Sequence, residues 1–177
     1  MERDIQSVLI SEEEILAKVA EVGAQISRDF EGKNPVFVGV LKGCFIFMAD
    51  LMRNVKVNCS VDFMAVSSYS GTSSTGAVKI NKDLSENIEG RHVIIVEDIL
   101  DSGITLSYLK QYLMVRKPAS ISIVTLMDKP ARRKADVYAN YSCFEIPDAF
   151  VVGYGLDYNE HYRNLPYIGV LKPEIYS

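Results

Sequence analysis

Apolar residues along this chain follow two alternating patterns, which predict its secondary structure. Apolar runs at residues 36–41 and 93–96 are typical of strands buried on both faces, as in a parallel sheet, and residues 121–127 predict a further strand. Between these runs, apolar residues recur at helical spacing over residues 43–51 and 105–116. This order predicts an α/β fold with a central, mostly parallel sheet that is flanked by helices and joined by right-handed crossovers.

A capping signal predicts a further helix near the start of the chain. Ser11 stands three residues before Glu14, which is the spacing of a capping box, and apolar residues follow at helical intervals. We therefore expect an amphipathic helix over residues 11–31 that covers one face of the sheet.

Other segments predict strands at the margin of the sheet. Apolar and polar residues alternate over residues 55–65, which predicts a strand with one wet face near a sheet edge. Residues 67–76 contain two glycines and almost no apolar residue, so they predict a mobile loop. The chain is then expected to return as a strand at residues 78–80. Short strands are also expected at residues 150–152 and 165–171.

The composition is that of an ordinary soluble globular protein. We expect a single domain over residues 1–177, because this length is enough for one substantial core. A hydrophobic content of 48% and a charged content of 24% are average values. The net charge of -4 disfavours a nucleic-acid partner. The charged first residues and the lack of a membrane-length apolar run predict a cytoplasmic protein with no membrane partner.

The cysteines and histidines indicate a reducing compartment and argue against zinc. Cys44, Cys59 and Cys143 are odd in number, widely spaced and set in apolar or strand-like sequence, so we expect buried thiols. His92 and His161 lack the spacing of metal ligands. Any metal ion is therefore expected to be a hard cation with oxygen ligands.

One segment, residues 93–105, carries most of the candidate chemistry. Its apolar strand leads into three carboxylates, which are followed by hydroxyl residues and a glycine where a helix begins. Ligands of parallel sheets bind beyond the carboxyl ends of the strands, and helix N-termini hold phosphate groups. Three carboxylates in an ordinary polar loop would repel one another, so a phosphosugar site is favoured over that alternative. The residues are Glu97, Asp98, Asp101, Ser102, Gly103 and Thr105.

This segment resembles the phosphoribosyl pyrophosphate (PRPP) signature of the type I phosphoribosyltransferases. Four other segments match that family in order, and the match spans nearly the whole chain. They are residues 41–43, residues 67–69 with the loop behind them, Lys129 and residues 150–160. The signature alone indicates the superfamily, whereas its combination with Lys129 and residues 150–163 resembles the hypoxanthine-guanine branch.

The resemblance implies a fold and an activity. The type I phosphoribosyltransferase fold adds a small hood and a mobile lid loop to the parallel sheet. The implied enzyme is a pentosyltransferase of purine salvage, which moves 5-phosphoribosyl from PRPP to hypoxanthine or guanine and yields IMP or GMP with pyrophosphate. It implies Mg²⁺ as cofactor, PRPP and 6-oxopurine bases as partners, and a homodimer or homotetramer.

The resemblance also implies roles for residues near the sugar. Asp101 is the implied general base, which takes the purine proton. Glu97 and Asp98 are implied to hold the ribose hydroxyls and the metal ion, with Asp157 as a further metal contact. The 5'-phosphate cradle is implied at Asp101, Ser102, Gly103, Ile104 and Thr105.

Further implied roles concern the pyrophosphate, the base and the lid. Lys42, Gly43 and Arg163 are implied to bind pyrophosphate, and the family carries a cis peptide bond at Lys42–Gly43. Ser68 and Tyr69 are implied to belong to the lid. The implied purine-binding residues are Lys129, Phe150, Val151, Asp157, Ile99 and Leu156.

The sequence leaves alternatives open. The same fold could serve a regulatory protein that senses PRPP, although such a protein would need a basic face or an added segment. Asp101 could merely order the phosphate loop, and Lys129 could be a solvated lysine. The basic residues that follow it, Arg132, Arg133 and Lys134, are interpreted as surface charge.

Overall fold

A computed structural model describes residues 1–68 and 78–177 of the chain. It contains a six-stranded central sheet and a three-stranded sheet, which we name the hood. The central strands are β2 (Val36–Leu41), β3 (Ser60–Ser68), β4 (Val78–Lys82), β5 (His92–Leu100), β6 (Ser120–Asp128) and β7 (Tyr141–Glu145). The hood strands are β1 (Ile5–Ile10), β8 (Val151–Val152) and β9 (Ile168–Leu171). The helices are α1 (Glu12–Asp29), α2 (Phe45–Asn54), α3 (Ile104–Met114) and the short α4 (Pro173–Tyr176).

The central sheet is parallel except at one edge, which confirms the predicted fold class. Its strand order is β4-β3-β2-β5-β6-β7, and β4 runs antiparallel to β3. Val36 of β2 lies opposite Ser60 of β3 on one side and Val93 of β5 on the other. The carboxyl ends of β2 and β5 therefore meet in the middle of the sheet, where the chain leaves for α2 and α3.

Helices cover both faces of this sheet, because its inner strands are apolar on both faces. Along β5, Ile94 and Val96 belong to the core on the side of α1 and α2. The alternate residues, Val93 and Ile95, belong to the core on the side of α3. This two-sided burial is the physical reason for the continuous apolar runs in the sequence.

The predicted capping box is present at the start of α1. The Ser11 hydroxyl accepts a hydrogen bond from the Glu14 N–H at 3.2 Å, and the Glu14 carboxylate accepts one from the Ser11 N–H at 2.8 Å. The apolar stripe that follows is buried, with Ile15 and Val19 fully enclosed. The helix therefore covers the sheet as the pattern predicts.

The hood joins the two ends of the described chain. Its strand order is β1-β9-β8, and all pairs are antiparallel, with Ile5 opposite Leu171. Val152, Tyr162 and Leu165 form a small core with Leu171 beneath these strands. Since β8 directly follows Phe150, the hood holds that ring near the ends of the central strands.

The strand predicted over residues 55–65 begins later than expected, and it lies near an edge of the sheet, one strand in from it. The Lys56 N–H donates to the Ser27 hydroxyl at 2.9 Å, so residues 55–59 are tied to α1 and not to the sheet. β3 starts at Ser60, and β4 pairs along its outer side. In the same segment, Cys59 is exposed, whereas Cys44 and Cys143 are buried as expected.

The sequence pattern does not predict two of the strands, β1 and β7. β1 is mostly exposed, and it is ordered by pairing with β9 at the far end of the chain. β7 is a five-residue edge strand that pairs with β6 on one side. Neither strand has the continuous apolar run or the clean alternation on which the predictions rest.

Two further features of the backbone bear on the predictions. The cis peptide bond joins Leu41 to Lys42, one bond before the position at which the resemblance put it. Within residues 1–68 and 78–177, no helix has both the length and the apolar character needed to cross a bilayer.

Candidate active site

A polar pocket of about 360 Å³ lies at the carboxyl ends of β2, β3 and β5; we name it the carboxylate pocket. Its floor brings the Gly43 backbone against the Asp98 side chain. A Cβ atom at residue 43 would lie 1.8 Å from Asp98 Oδ2, so any residue larger than glycine would displace the Asp98 carboxylate. Two segments that are far apart in sequence thus approach each other at van der Waals limits, which fixes the geometry of the pocket.

Two adjacent carboxylates form one wall of this pocket. The sequence pattern predicts that Glu97 and Asp98 follow the end of the strand. In the structure β5 continues to Leu100, so both residues lie within the strand. Burial raises the pKa of Glu97 well above its usual range, and the neighbouring Asp98 charge raises it further. Burial also raises the pKa of Asp98. The pair is therefore costly in its fully charged form unless a cation lies nearby.

The chemistry of these donors fits a hard divalent cation. Glu97, Asp98 and Asp157 all line the carboxylate pocket and offer carboxylate oxygens. Among residues 1–68 and 78–177, however, no three acidic, histidine or cysteine side chains are grouped closely enough for a metal site made by protein alone. Mg²⁺ commonly binds through one or two carboxylates together with substrate phosphates.

The loop after β5 presents a helix N-terminus to the same pocket. Gly103 is the N-cap of α3 and has a φ of 79°, a left-handed conformation that glycine adopts without strain. Ser102 and Thr105 line the pocket with their hydroxyl side chains. The first N–H groups of α3 point out of the helix start, which makes this loop suited to an anion.

The loop is held from behind by the basic segment that the sequence pattern assigned to surface charge. Arg133 donates to the Asp101 carbonyl at 3.2 Å and to the Val137 carbonyl at 2.6 Å, and it pairs with Asp128. The Lys134 N–H donates to the Ser102 carbonyl at 2.8 Å. The surface interpretation is therefore wrong for Arg133, whose guanidinium braces the loop.

A second pocket of about 390 Å³ adjoins the first, and we name it the aromatic pocket. Phe150 forms one side, and its ring stacks on Tyr176 with 4.5 Å between centroids and 15° between planes. Lys129 reaches in from the end of β6 and is only 7% exposed. Its Nζ donates to the Ala149 carbonyl at 2.7 Å. The solvated alternative for Lys129 is therefore excluded.

An alternating row of charges lines the mouth of the aromatic pocket. Arg132 Nε lies 2.7 Å from Asp101 Oδ1, and Arg132 Nη1 lies 3.3 Å from Asp148 Oδ1. Lys129 Nζ is 3.9 Å from the same Asp148 oxygen. The Asp101 charge raises the pKa of Arg132. Arg132 therefore contacts the predicted site, because it forms ion pairs both with Asp101 and with Asp148, the carboxylate next to Lys129.

Two cations and two anions form a cluster at the carboxylate pocket, which three of them line. Arg163 Nη2 is 3.2 Å from both Asp157 Oδ1 and Glu160 Oε1. Lys42 Nζ is 3.0 Å from Glu160 Oε2. Arg163 also donates from Nη1 to the Gly155 carbonyl at 2.7 Å. Lys42 and Arg163 are thereby brought to one place from distant parts of the sequence.

The structure brings together nearly all of the predicted site residues. The carboxylate pocket is lined by Lys42, Gly43, Ser68, Glu97, Asp98, Ile99, Asp101, Ser102, Gly103, Thr105, Asp157 and Arg163. The aromatic pocket is lined by Ile99, Asp101, Lys129, Phe150, Val151, Leu156 and Asp157. The Ile104 side chain is exposed and lines neither pocket, and its backbone N–H donates to the Ser102 hydroxyl at 3.4 Å. Tyr69 and the greater part of the predicted lid lie outside the described residues.

Sequence reasoning missed four residues that contact the predicted site. They are Arg132, Asp148, Glu160 and Tyr176. Arg132 lies in a basic run, and Tyr176 lies near the end of the chain, so neither carries a local signal. Glu160 lies within a segment that carries the resemblance but had no assigned role.

Comparison with known proteins agrees with this geometry. Residues 9–159 match the family described as "Phosphoribosyl transferase domain". The chain is 58% identical to the hypoxanthine-guanine phosphoribosyltransferase of Bacillus subtilis and 54% identical to that of Streptococcus agalactiae, covering 100% of this chain and 99% of each relative. A crystal structure of a Staphylococcus aureus hypoxanthine phosphoribosyltransferase superposes with a TM-score of 0.97 at 55% identity, covering 100% of this chain and 97% of that one. The chain therefore belongs to the hypoxanthine-guanine branch of the phosphoribosyltransferase family.

Proposed function

We propose that this chain catalyses a step of purine salvage, the transfer of 5-phosphoribosyl from PRPP to hypoxanthine or guanine. The products are IMP or GMP and pyrophosphate. One observation carries the proposal: Ile99, Asp101 and Asp157 line both the carboxylate pocket and the aromatic pocket. A phosphosugar in the first pocket and a flat base in the second would therefore meet beside Asp101. The family to which the chain belongs supports the same reaction.

In this proposal the carboxylate pocket binds PRPP. The Asp101–Thr105 loop holds the 5'-phosphate with backbone N–H groups and the hydroxyls of Ser102 and Thr105. Lys42, Gly43 and Arg163 bind the pyrophosphate group, and a guanidinium is well shaped for that anion. Glu97 and Asp98 hold the ribose hydroxyls.

Mg²⁺ is the proposed cofactor, and it would screen the pyrophosphate charge when bound. Glu97, Asp98 and Asp157 are the residues that would hold it, because their oxygens line the pocket where the phosphates bind. A cation at this position would offset the burial that raises the pKa values of Glu97 and Asp98, since a nearby positive charge favours the ionised carboxylates.

The aromatic pocket binds the purine. The base stacks on Phe150, and Ile99 and Leu156 complete an apolar slot around the ring. Lys129 donates to the exocyclic oxygen of a 6-oxopurine, and a 6-amino base would leave that buried donor unpaired. The Val151 backbone offers hydrogen bonds along the edge of the base.

The proposed reaction exchanges one bond at the anomeric carbon for another. The bond from this carbon to the pyrophosphate oxygen breaks, and a bond to the purine nitrogen forms. The purine nitrogen loses its proton to the Asp101 carboxylate, which acts as the general base. Asp101 reaches both pockets, which is the position that this role requires.

The remaining expectations are part of the same proposal. We propose that residues 1–177 act as one domain, because the pockets draw residues from both the central sheet and the segments that lead to the hood. PRPP and 6-oxopurine bases are the partners, whereas nucleic acid and membranes have no role. The protein is cytoplasmic and forms a homodimer or homotetramer, which light scattering would measure.

The deciding experiment is a turnover assay. The protein is incubated with PRPP, Mg²⁺ and one of hypoxanthine, guanine, xanthine or adenine, and nucleotide formation is followed by ultraviolet absorbance and chromatography. IMP or GMP should form, adenine should not react, and omission of PRPP should abolish the signal. Binding of PRPP without turnover of any base would overturn the proposal and favour a regulatory protein that senses PRPP.

A further inference from the structure

Glu160 lies between the two cations that we assign to the pyrophosphate group. One carboxylate oxygen is 3.0 Å from Lys42 Nζ, and the other is 3.2 Å from Arg163 Nη2. Lys42 and Arg163 hold the pKa of Glu160 below its usual range. In the protein without substrate, the Glu160 carboxylate thus pairs with the two cations that we assign to pyrophosphate.

We propose that Glu160 is a displaceable counter-anion, which pairs with Lys42 and Arg163 in the free protein and leaves them when pyrophosphate or PRPP binds. This inference rests on the proposed function and names a residue that sets the affinity of its phosphate site. Glu160 competes with the substrate for the same two cations. Its charge therefore weakens PRPP binding and favours the departure of pyrophosphate.

The exposure of the pair makes displacement feasible. The Lys42 and Glu160 side chains are 67% and 63% exposed, and exposed ion pairs contribute little because water screens them. A pyrophosphate group with several charged oxygens offers stronger, charge-assisted hydrogen bonds to the same donors. The exchange therefore favours substrate, at the cost of breaking the contacts to Glu160.

The backbone around Glu160 presents its carboxylate to the cations while leaving the side chain free to turn. The Glu160 N–H donates to Asp157 Oδ2 at 2.8 Å, which fixes the turn. Asn159 and Glu160 both have positive φ values, 50° and 63°, within a bridge between Tyr158 and His161. Only the side-chain torsions of Glu160 need to change for release.

Asp157 also contacts Arg163, but its side chain is held more firmly than that of Glu160. Asp157 accepts the Glu160 N–H and contacts Arg163 at 3.2 Å, and its side chain is 30% exposed. It remains with Arg163 when Glu160 leaves, because its backbone contact holds it in place. Displacement therefore frees Lys42 fully and Arg163 in part.

Glu160→Gln is the direct test, since it keeps the size of the side chain and removes the charge. Calorimetric titration of the full chain with inorganic pyrophosphate and with PRPP, each with Mg²⁺, should give Kd values lower by about 3- to 10-fold, as expected for loss of one nearby opposing charge. Glu89→Gln, at an exposed glutamate three residues before the amino end of β5 and so far from the carboxyl ends of the strands, should leave both Kd values unchanged. Equal or weaker binding by Glu160→Gln would overturn the inference.

A double-mutant cycle tests whether Lys42 is the cation released. In a Lys42→Gln background, Glu160→Gln should tighten pyrophosphate binding by much less than in the wild type, because one of the two competing contacts is already absent. Full tightening in that background would contradict the assignment. Melting temperatures of all variants show whether a change in affinity reflects the charge or a loss of folding.

The outcome is separable from that of the proposed function. If the wild-type protein binds no PRPP and turns over no base, both proposals fail. If the wild type binds PRPP and forms IMP or GMP while Glu160→Gln matches it in both Kd values, only the inference about Glu160 fails.

Discussion

The carboxylate pocket and the aromatic pocket are neighbours, but they are built in different ways. The carboxylate pocket is formed by strand ends inside a parallel sheet, and Gly43 lies so close to the Asp98 side chain that an added Cβ would displace the carboxylate. The aromatic pocket is formed by Phe150, Tyr176 and exposed ion pairs around Arg132. The floor of the phosphosugar side is therefore set by close packing, whereas the mouth of the base side is set by contacts between exposed side chains that can rearrange.

The two pockets also differ in how their charges are arranged. Like charges are adjacent in the carboxylate pocket, where burial and mutual repulsion raise the pKa of Glu97. Opposite charges alternate in the aromatic pocket, from Lys129 through Asp148 and Arg132 to Asp101. A bound cation would neutralise the adjacent carboxylates of the first pocket. In the second pocket the positive and negative side chains already neutralise one another, which suits a neutral base.

Asp101 belongs to both pockets, so its substitution should have the largest effect. We expect Asp101→Asn to lower kcat by about 10²- to 10⁴-fold, because the amide cannot accept the purine proton. The Kd of PRPP should change little, since neutral donors of the loop hold the 5'-phosphate. Saturating kinetics and calorimetry measure the two quantities.

A matched variant separates proton transfer from the Arg132 contact. Arg132→Gln removes the ion pair but leaves the Asp101 carboxylate in place, so its loss of kcat should be much smaller. If Asp101→Asn loses PRPP affinity with near-normal kcat, Asp101 belongs to the phosphate cradle and the general base is another group.

Gly43→Ala tests the rigidity of the carboxylate pocket. The new Cβ would lie 1.8 Å from Asp98 Oδ2 and 2.6 Å from its Cγ, so the carboxylate must move. We expect kcat/KM for PRPP to fall by at least about 10²-fold, as misplacement of reacting groups by about 1 Å commonly does. Gly90→Ala, at a glycine with no neighbour within 4 Å of its Cβ position but with a φ of 71°, controls for a general loss of stability: it should lower Tm and leave kcat/KM unchanged. Near-normal activity of Gly43→Ala would show that this pocket can adjust.

Lys129→Ala tests the aromatic pocket alone. We expect kcat/KM for hypoxanthine and guanine to fall by about 10- to 10²-fold, the value of one hydrogen bond from a charged donor. The Kd of PRPP should stay near that of the wild type and of the surface control Lys33→Ala. Equal losses for base and PRPP would indicate that Lys129 acts through its structural bond to the Ala149 carbonyl.

The smallest effect that we predict is on stability: Glu97→Gln should slightly raise the melting temperature of the protein without substrate or metal. Because the pKa of Glu97 is raised in the folded state, its favourable contribution is present below the unfolded pKa and is lost as pH rises through the folded pKa. At pH 7, above the usual pKa of glutamate, Glu97 therefore destabilises the fold relative to acid pH. Removing the charge should raise Tm by about 2–4 °C, which corresponds to ~1 kcal/mol for a chain of this size.

The pH dependence provides the check on that prediction. Thermal melts in buffer with a metal chelator should show the gain at pH 7 and its disappearance near pH 4, where glutamate approaches its usual pKa of about 4.3. Glu89→Gln, on the surface, should show neither effect. A gain that persists at acid pH would mean that packing, and not charge, distinguishes the variant.

The sequence by itself determined the elements that depend on local patterns. The apolar run of β2 fixed a buried strand at residues 36–41, and the Ser11–Glu14 pair fixed the start of α1. The signature from Glu97 to Thr105 located the candidate phosphosugar site, because the order of strand, carboxylates and helix start is readable without tertiary contacts. Each of these signals lies within a few residues along the chain.

Only the tertiary structure decided which distant residues meet. β1 exists as a strand because it pairs with β9, near the other end of the chain. Glu160 neutralises Lys42 across 118 positions, and Tyr176 stacks on Phe150. The sequence pattern predicts only surface charge for Arg132, whereas the fold places its Nε 2.7 Å from Asp101 Oδ1. Such contacts depend on strand order, register and side-chain direction, which residue patterns along one segment do not contain.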